Sequence, residues 1–288
     1  MTEVNWNYAD LMKKGREFYI NNRKFKSFLK GIVDLNGNES ILDVGCGIGT
    51  VPRLLLKINK NLNDIKGIDI DKNLIEWGNK HWGKSNKIKL YEGNIYNLEF
   101  MNDTIDIITS FGLLEWLKKP NDALDEIIRV CKQNGTILTL VIEKSKFEKL
   151  PQDKNYNKFY EEYLKGVKDF GCPIENEGNY IQDLFHSRGL ENTRYEFIFE
   201  TEFQITEKLI ELWERSMVEE EYLEFTKKSM AFYFQFLKRI GWNSEKLNTY
   251  IKENLSFRNM LDLYNNNIGK RMIQRSTMVI LKAENIGK

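Results

Sequence analysis

Apolar residues along this chain fall into two alternating rhythms. Over 10–33, Leu11, Phe18, Phe25, Phe28, Leu29 and Ile32 recur at close to helical spacing with basic residues between them, which predicts an amphipathic helix or a pair of helices, ended at Gly37. Ser40-Ile-Leu-Asp-Val-Gly45 is a short apolar run ending in glycines, and the apolar stretch 51–58 predicts a helix opening at Thr50. The rhythm recurs: a strand over 65–69 and a helix over 71–82, strands over 88–90 and 105–109, a helix over 122–131, and a strand over 136–142. Strands alternating with helices of this length imply right-handed crossovers and a largely parallel sheet, so the expected class is α/β.

After Lys144 the pattern changes. The stretch 154–167 is polar and aromatic, Gly171-Cys-Pro173 is a break, 180–188 reads as a helix ended by Gly189, and 195–203 alternates like a strand. From 206 to about 266 the chain reads as several helices interrupted at Gly241-Trp-Asn-Ser244, before a last strand over 277–282. The expected organisation is an N-terminal helical cap (1–38), an α/β core (39–205), a helical insertion (206–270) and a last strand returning to the core (271–288).

Charge and cysteine usage narrow the function classes. With 43 basic and 42 acidic residues the net charge is +1, so nothing in the composition draws the chain to a phosphate backbone or an anionic membrane. The three cysteines follow no metal-ligand spacing and leave one unpaired in any disulfide scheme, which fits a cytoplasmic protein. No apolar run approaches the length of a membrane span, and 1–10 has no apolar signal core. Neither nucleic acid nor a membrane is therefore an expected partner.

The most informative segment is Asp43-Val-Gly45-Cys46-Gly47-Ile-Gly49. A strand running into closely spaced glycines lets backbone approach a ligand where side chains would collide. The third glycine of the dinucleotide fingerprint would fall at Thr50, so a bound pyrophosphate is disfavoured. Asp69 ends the next strand, where a carboxylate can accept hydrogen bonds from both ribose hydroxyls, while Asp71 suits the N-cap of the following helix. The two histidines, His81 and His186, fall in predicted helices away from these motifs and read as structural.

In order, residues 41–50, 66–71, 92–95, 105–117 and 129–138 resemble the successive motifs of the class I S-adenosylmethionine-dependent methyltransferases. The resemblance covers 38–143 well and extends weakly to about 203. It implies a Rossmann-like, seven-stranded, mostly parallel sheet with a reversed last hairpin. It also implies S-adenosylmethionine as cofactor, S-adenosylhomocysteine as product, and methyl transfer to N, O or S of a small molecule. Gly45, Cys46, Gly47 and Gly49 would pass beneath the methionine part, Asp43 would orient the turn and the cofactor's ammonium, and Asp69 would take the ribose. Asn94 stands where the family usually has an aspartate and would present an amide oxygen to adenine. The Ile95 backbone would serve the ring, with Ile70 and Phe111 near its faces or the methionine chain.

Ser110-Phe-Gly-Leu-Leu-Glu-Trp-Leu117 follows the fourth strand, and the Asn/Asp-Pro-Pro-Tyr signature of many amino-methyltransferases is absent. Methyl transfer from a sulfonium is an in-line displacement that rests on alignment and exclusion of water, and needs a base only if the acceptor must lose a proton. Glu115 and Trp116 are the candidates for lining the acceptor site, with Glu115 equally readable as a surface carboxylate at a helix start. Trp6, Tyr8, Phe18 and Tyr19 form either a lid or packing for the N-terminal helix, and most aromatics over 213–242 are expected to be core. Gly171-Cys172-Pro-Ile-Glu-Asn-Glu-Gly178 is a further pocket-loop candidate with an inert cysteine. Two other readings stay open: an RNA or protein methyltransferase using the basic residues over 13–30, and a non-catalytic cofactor-binding subunit.

Overall fold

Ile41, Leu42 and Val44 lose all contact with solvent in strand β1 (Ser40–Val44), the burial expected of a strand at the centre of a parallel sheet. The computed structural model describes residues 13, 16, 17, 19–82 and 86–287. Around β1 lie β2 (Asp64–Asp69), β3 (Ile88–Glu92), β4 (Ile105–Phe111), β5 (Cys131–Leu150), β6 (Asn192–Gln204) and β7 (Arg271–Glu284) in the order β3-β2-β1-β4-β5-β7-β6, the last strands antiparallel. This is the expected Rossmann-like sheet with its reversed last hairpin. The strand order turns back between β1 and β4, and ligands of open α/β sheets bind beyond the carboxyl ends of the strands at such a point.

The helices are α1 (Arg23–Ile32), α2 (Thr50–Ile58), α3 (Lys72–Trp82), α4 (Pro120–Val130), α5 (Lys154–Phe170), α6 (Glu177–His186), α7 (Glu207–Ser216), α8 (Glu219–Leu237), α9 (Ser244–Asn254) and α10 (Phe257–Asn265). The N-terminal apolar pattern resolves into a pair: helix runs to Asn21, and Asn22 caps α1 by accepting the Phe25 amide. Phe25, Leu29 and Ile32 are the buried stripe of α1, and Phe25 and Phe28 pack on Phe197 with ring centroids 5.2 and 5.0 Å apart. Trp6, Tyr8, Leu11 and Phe18 lie outside the described residues; Tyr19 is half-buried.

The chain divides into two compact units. One takes in the described residues up to 142 together with 176–197 and 278–287; the other takes in 143–175 and 198–277. The core of the first is apolar throughout, with Leu42, Ile108 and Ile137 of the sheet packed against Leu124, Ile127 and Phe185 of α4 and α6. The second is mainly helical and aromatic. Tyr163 of α5 meets Tyr233 and Phe236 of α8 edge-on at 4.7 and 5.6 Å, and Phe159 meets Trp242 at 6.1 Å.

Two elements differ most from the sequence expectation, and the last strand, expected over 277–282, also begins earlier, at Arg271. The strand expected over 136–142 runs on to Leu150, through Glu143-Lys-Ser-Lys146, where polarity hides the period. The stretch 154–167, given no element, is the helix α5: Asp153 caps it by accepting the Asn155 and Tyr156 amides, Phe159, Tyr163 and Val167 form its buried stripe, and Gly171 closes it at φ 97°.

Candidate active site

The end of β1 shows why three glycines are needed. Gly45, Gly47 and Gly49 have φ of 71°, 54° and 80°, in the left-handed region that costs other residues strain. Space excludes side chains as well: a Cβ on Gly45 would stand 2.7 Å from Leu113 in the loop after β4, and one on Gly49 2.8 Å from Leu90 of β3. The turn is tied to β2, because the Cys46 amide donates to the Ile68 carbonyl at 2.9 Å and the Gly47 amide donates to Asp69 Oδ2 at 2.8 Å. Cys46 is buried with its sulfur against Gly67 of β2, so only its backbone is left to face a ligand.

Asp69 is half-buried and also accepts the Asp71 amide through Oδ1. Each oxygen has used one lone-pair direction, leaving acceptor capacity on both. Asp71 accepts the Asn73 and Leu74 amides, as an N-cap does.

Asp43 is placed by the sheet itself, pairing in register with Gly67 of β2 and Thr109 of β4. It is 1% exposed, and its Oδ1 accepts the Thr109 hydroxyl at 2.6 Å while Oδ2 has no hydrogen-bond partner among the described residues. Burial pushes its pKa up to about 7. The Thr109 hydrogen bond and the charge of Arg16 pull the other way, and Asp69 adds to the rise. A buried carboxylate oxygen without a donor is costly unless a ligand supplies one. The hydroxyls of Thr50, directly after the turn, and of Ser110, next to Thr109 in β4, are likewise buried and have no partner among the described residues.

The remaining sequence-predicted residues lie around this turn in different degrees of exposure. Ile70 is 74% exposed directly after Asp69, an apolar side chain held in water. Asn94 is exposed, its Oδ1 accepting the Tyr96 amide at 3.0 Å; Ile95 is buried and Phe111, at the end of β4, is half-buried. Glu115 and Trp116 sit in a short 3-10 turn (Leu114–Trp116). Glu115 is 3% exposed with Oε1 3.9 Å from where a Gly112 Cβ would be, which overturns its reading as a surface carboxylate; Trp116 is half-buried.

Some contributors were not singled out in the sequence. Thr109 and Gly78 are the chief ones: Gly78 lets α3 approach until a Cβ there would lie 2.8 Å from the Ile48 carbonyl oxygen, and Trp82 Nε1 donates to that same oxygen at 2.7 Å. A glycine inside an otherwise regular helix was the available signal. His81 is exposed, stacked on Trp77 with centroids 3.8 Å apart, and His186 is exposed at the end of α6. Cys172, from the loop candidate, is buried with its sulfur 3.8 Å from Lys144 Nζ. Among the described residues no group of three or more His, Cys, Asp or Glu is placed to hold a metal, and no helix is long and apolar enough to cross a membrane.

Residues 42–139, the span from β1 into β5 that builds this turn, match the family described as a methyltransferase domain. The demethylmenaquinone methyltransferase of Lysinibacillus sphaericus is 27% identical over 169 residues, covering 54% of this chain and 70% of that protein. Residues 42–139 thus carry a methyltransferase domain, and the relatives together with the fold support the class I S-adenosylmethionine-dependent methyltransferase superfamily. The methyltransferase is also similar to the sterol 4-C-methyltransferase strm-1 of Caenorhabditis elegans, 25% identical over 209 residues, which cover 71% of this chain and 52% of that one. A putative methyltransferase of Bacillus halodurans shares the fold with a TM-score of 0.54 at 15% identity, covering 92% of this methyltransferase and 100% of its own chain.

Proposed function

We propose that this enzyme transfers a methyl group from S-adenosylmethionine to a small-molecule acceptor, with the cofactor held over the Gly45–Gly47–Gly49 turn. The observation that carries the reading is the Asp43 carboxylate, buried before the turn with one oxygen unpartnered among the described residues, because a cofactor ammonium would supply the missing donor and the charge that stabilises the ionised form. Asp69 takes the ribose hydroxyls on its remaining lone pairs. Ile70 and Phe111 give the adenine apolar cover, with Asn94 and the Ile95 backbone at its edge. Cys46 contributes backbone only.

When bound, the cofactor supplies an electrophilic methyl on a sulfonium, so the chain's task is to align the acceptor and keep water out. Glu115 and Trp116, at the carboxyl end of β4, line the acceptor side in this reading; a buried carboxylate there can hold a proton or orient a donor on the acceptor. The relatives support a small molecule, since their names specify a menaquinone precursor and a sterol. The second name specifies carbon as the methylated atom, which widens the expected set of N, O and S.

Calorimetric titration with S-adenosylmethionine, S-adenosylhomocysteine and NAD tests the reading. Binding of both adenosyl compounds without NAD is expected, and Asp69→Ala should weaken S-adenosylmethionine by about ten-fold or more, the loss of a charge-assisted hydrogen-bond pair. NAD binding alone, or undiminished affinity in Asp69→Ala, would overturn it.

A further inference from the structure

The helical unit contains a cavity of about 160 Å³ lined largely by the insertion over 206–270 and by none of the cofactor residues named above, nor by Glu115 or Trp116. Its size is that of a single ring with a small substituent, since an engineered apolar cavity of roughly 150 Å³ admits benzene. Tyr156, Tyr222 and Tyr264 give it aromatic walls, Met230 and Met260 fill between them, and Phe225 stands at the rim, 62% exposed.

Most polar groups facing this space are already engaged. The Tyr222 hydroxyl is hydrogen-bonded to Thr226, the Ser229 hydroxyl donates to the Phe225 carbonyl, and Ser256 and Asn259 are locked together in the capping box of α10. Lys149 is different. Its side chain is 19% exposed, its ammonium lies 4.7 Å from the centre of the Tyr156 ring, and it makes no hydrogen bond to any described residue. Its nearest opposite charge is Asp153 Oδ2 at 3.9 Å, beyond hydrogen-bond reach, and that carboxylate is already bound through Oδ1 to the Asn155 and Tyr156 amides at the start of α5. Burial lowers the Lys149 pKa, with Asp153 opposing. Lys149 is thus charge-paired with Asp153 but makes no hydrogen bond to a described residue, which leaves its N–H donors open to an acceptor from outside the chain in an aromatic-walled cavity.

We propose that this cavity is a binding site for a monocyclic aromatic carboxylate, its ring between the tyrosine and methionine walls and its carboxylate on Lys149. A cationic ligand is disfavoured because the Lys149 ammonium already occupies the Tyr156 face, repels a second cation and takes up the charge of Asp153. The site lies within the helical unit, and the inference does not rest on the assignment of the methyl acceptor.

Titrating the full chain, labelled with methyl-¹³C methionine, with benzoate, benzamide and benzylamine tests it. Benzoate is expected to shift the Met230 and Met260 methyl signals, assigned by Met230→Leu and Met260→Leu, saturably and at least about ten-fold more tightly than benzamide, one charge-assisted contact's worth. Lys149→Met should abolish that preference and leave benzamide unchanged. The proposal is overturned if neither methyl saturates by roughly 10 mM benzoate, if benzylamine binds as well as benzoate, or if Lys149→Met keeps the preference. Should Lys149→Met fail to fold, the benzoate-to-benzamide ratio in the unaltered chain decides alone.

Discussion

Asp43 and Thr109 form a buried pair whose protonation is coupled to everything proposed for the glycine turn. The Asp43 pKa, about 7, stands above its ordinary 3.8 because burial outweighs the Thr109 hydrogen bond. The folded chain therefore holds a proton that the unfolded chain releases, and this contribution to stability, whole below about pH 4, is lost as pH rises through about 7. Cofactor binding runs the other way if the ammonium requires the ionised form: affinity for S-adenosylmethionine should rise with pH by up to about ten-fold per unit and level off above pH 7. Thr109→Val removes the donor that favours the carboxylate, so its binding profile should shift to higher pH with the largest deficit near neutrality, while Thr109→Ser should keep the profile of the parent. Calorimetric titration from pH 5.5 to 8.5 checks all three; a pH-independent affinity would remove Asp43 from the ammonium site. Asp43 was legible as a candidate from its place before the glycines. Thr109 was not, because its partnership depends on β1 and β4 lying side by side, a relation between positions 66 residues apart.

At the scale of elements, the strands from β1 to β4 and the helices between them were legible because each is short, apolar and punctuated by glycine or a capping residue. What escaped was governed by packing. The end of β5 carries Glu143-Lys-Ser-Lys146, whose polarity conceals a strand held by its place in the sheet, and α5 carries its stripe on Phe159, Tyr163 and Val167 amid so many polar residues that the period was obscured. Gly78 shows the same principle in energetic form. Helix propensity alone would have Gly78→Ala stabilise α3 by up to about 1 kcal/mol. Yet the new Cβ would stand 2.5 Å from Leu90 and 2.8 Å from the Ile48 carbonyl oxygen, and a carbonyl of the glycine loop cannot yield as a side chain can. Gly78→Ala should therefore destabilise by about 1–3 kcal/mol, read as a lower midpoint in thermal or urea unfolding, and should displace the loop enough to weaken the cofactor. A raised midpoint would show that α3 shifts at no cost.

Over the whole molecule, the balance of 43 basic and 42 acidic residues gives no general attraction to a polyanionic substrate. The solvated face of α1 bears Arg23, Lys24 and Lys30, a local patch at most. Heparin should release the chain below about 0.15 M salt, and retention well above that, with a steep salt dependence, would instead favour the RNA reading. All three cysteines are buried, and burial pushes the Cys46 and Cys131 thiols up, the latter to about 12. A thiol reagent should accordingly modify almost none of them in the native chain and all of them after denaturation. A native surface silent toward maleimides would make one cysteine introduced at an exposed position the sole attachment point for a dye or spin label, so that distances across this protein could be followed without first removing a native residue.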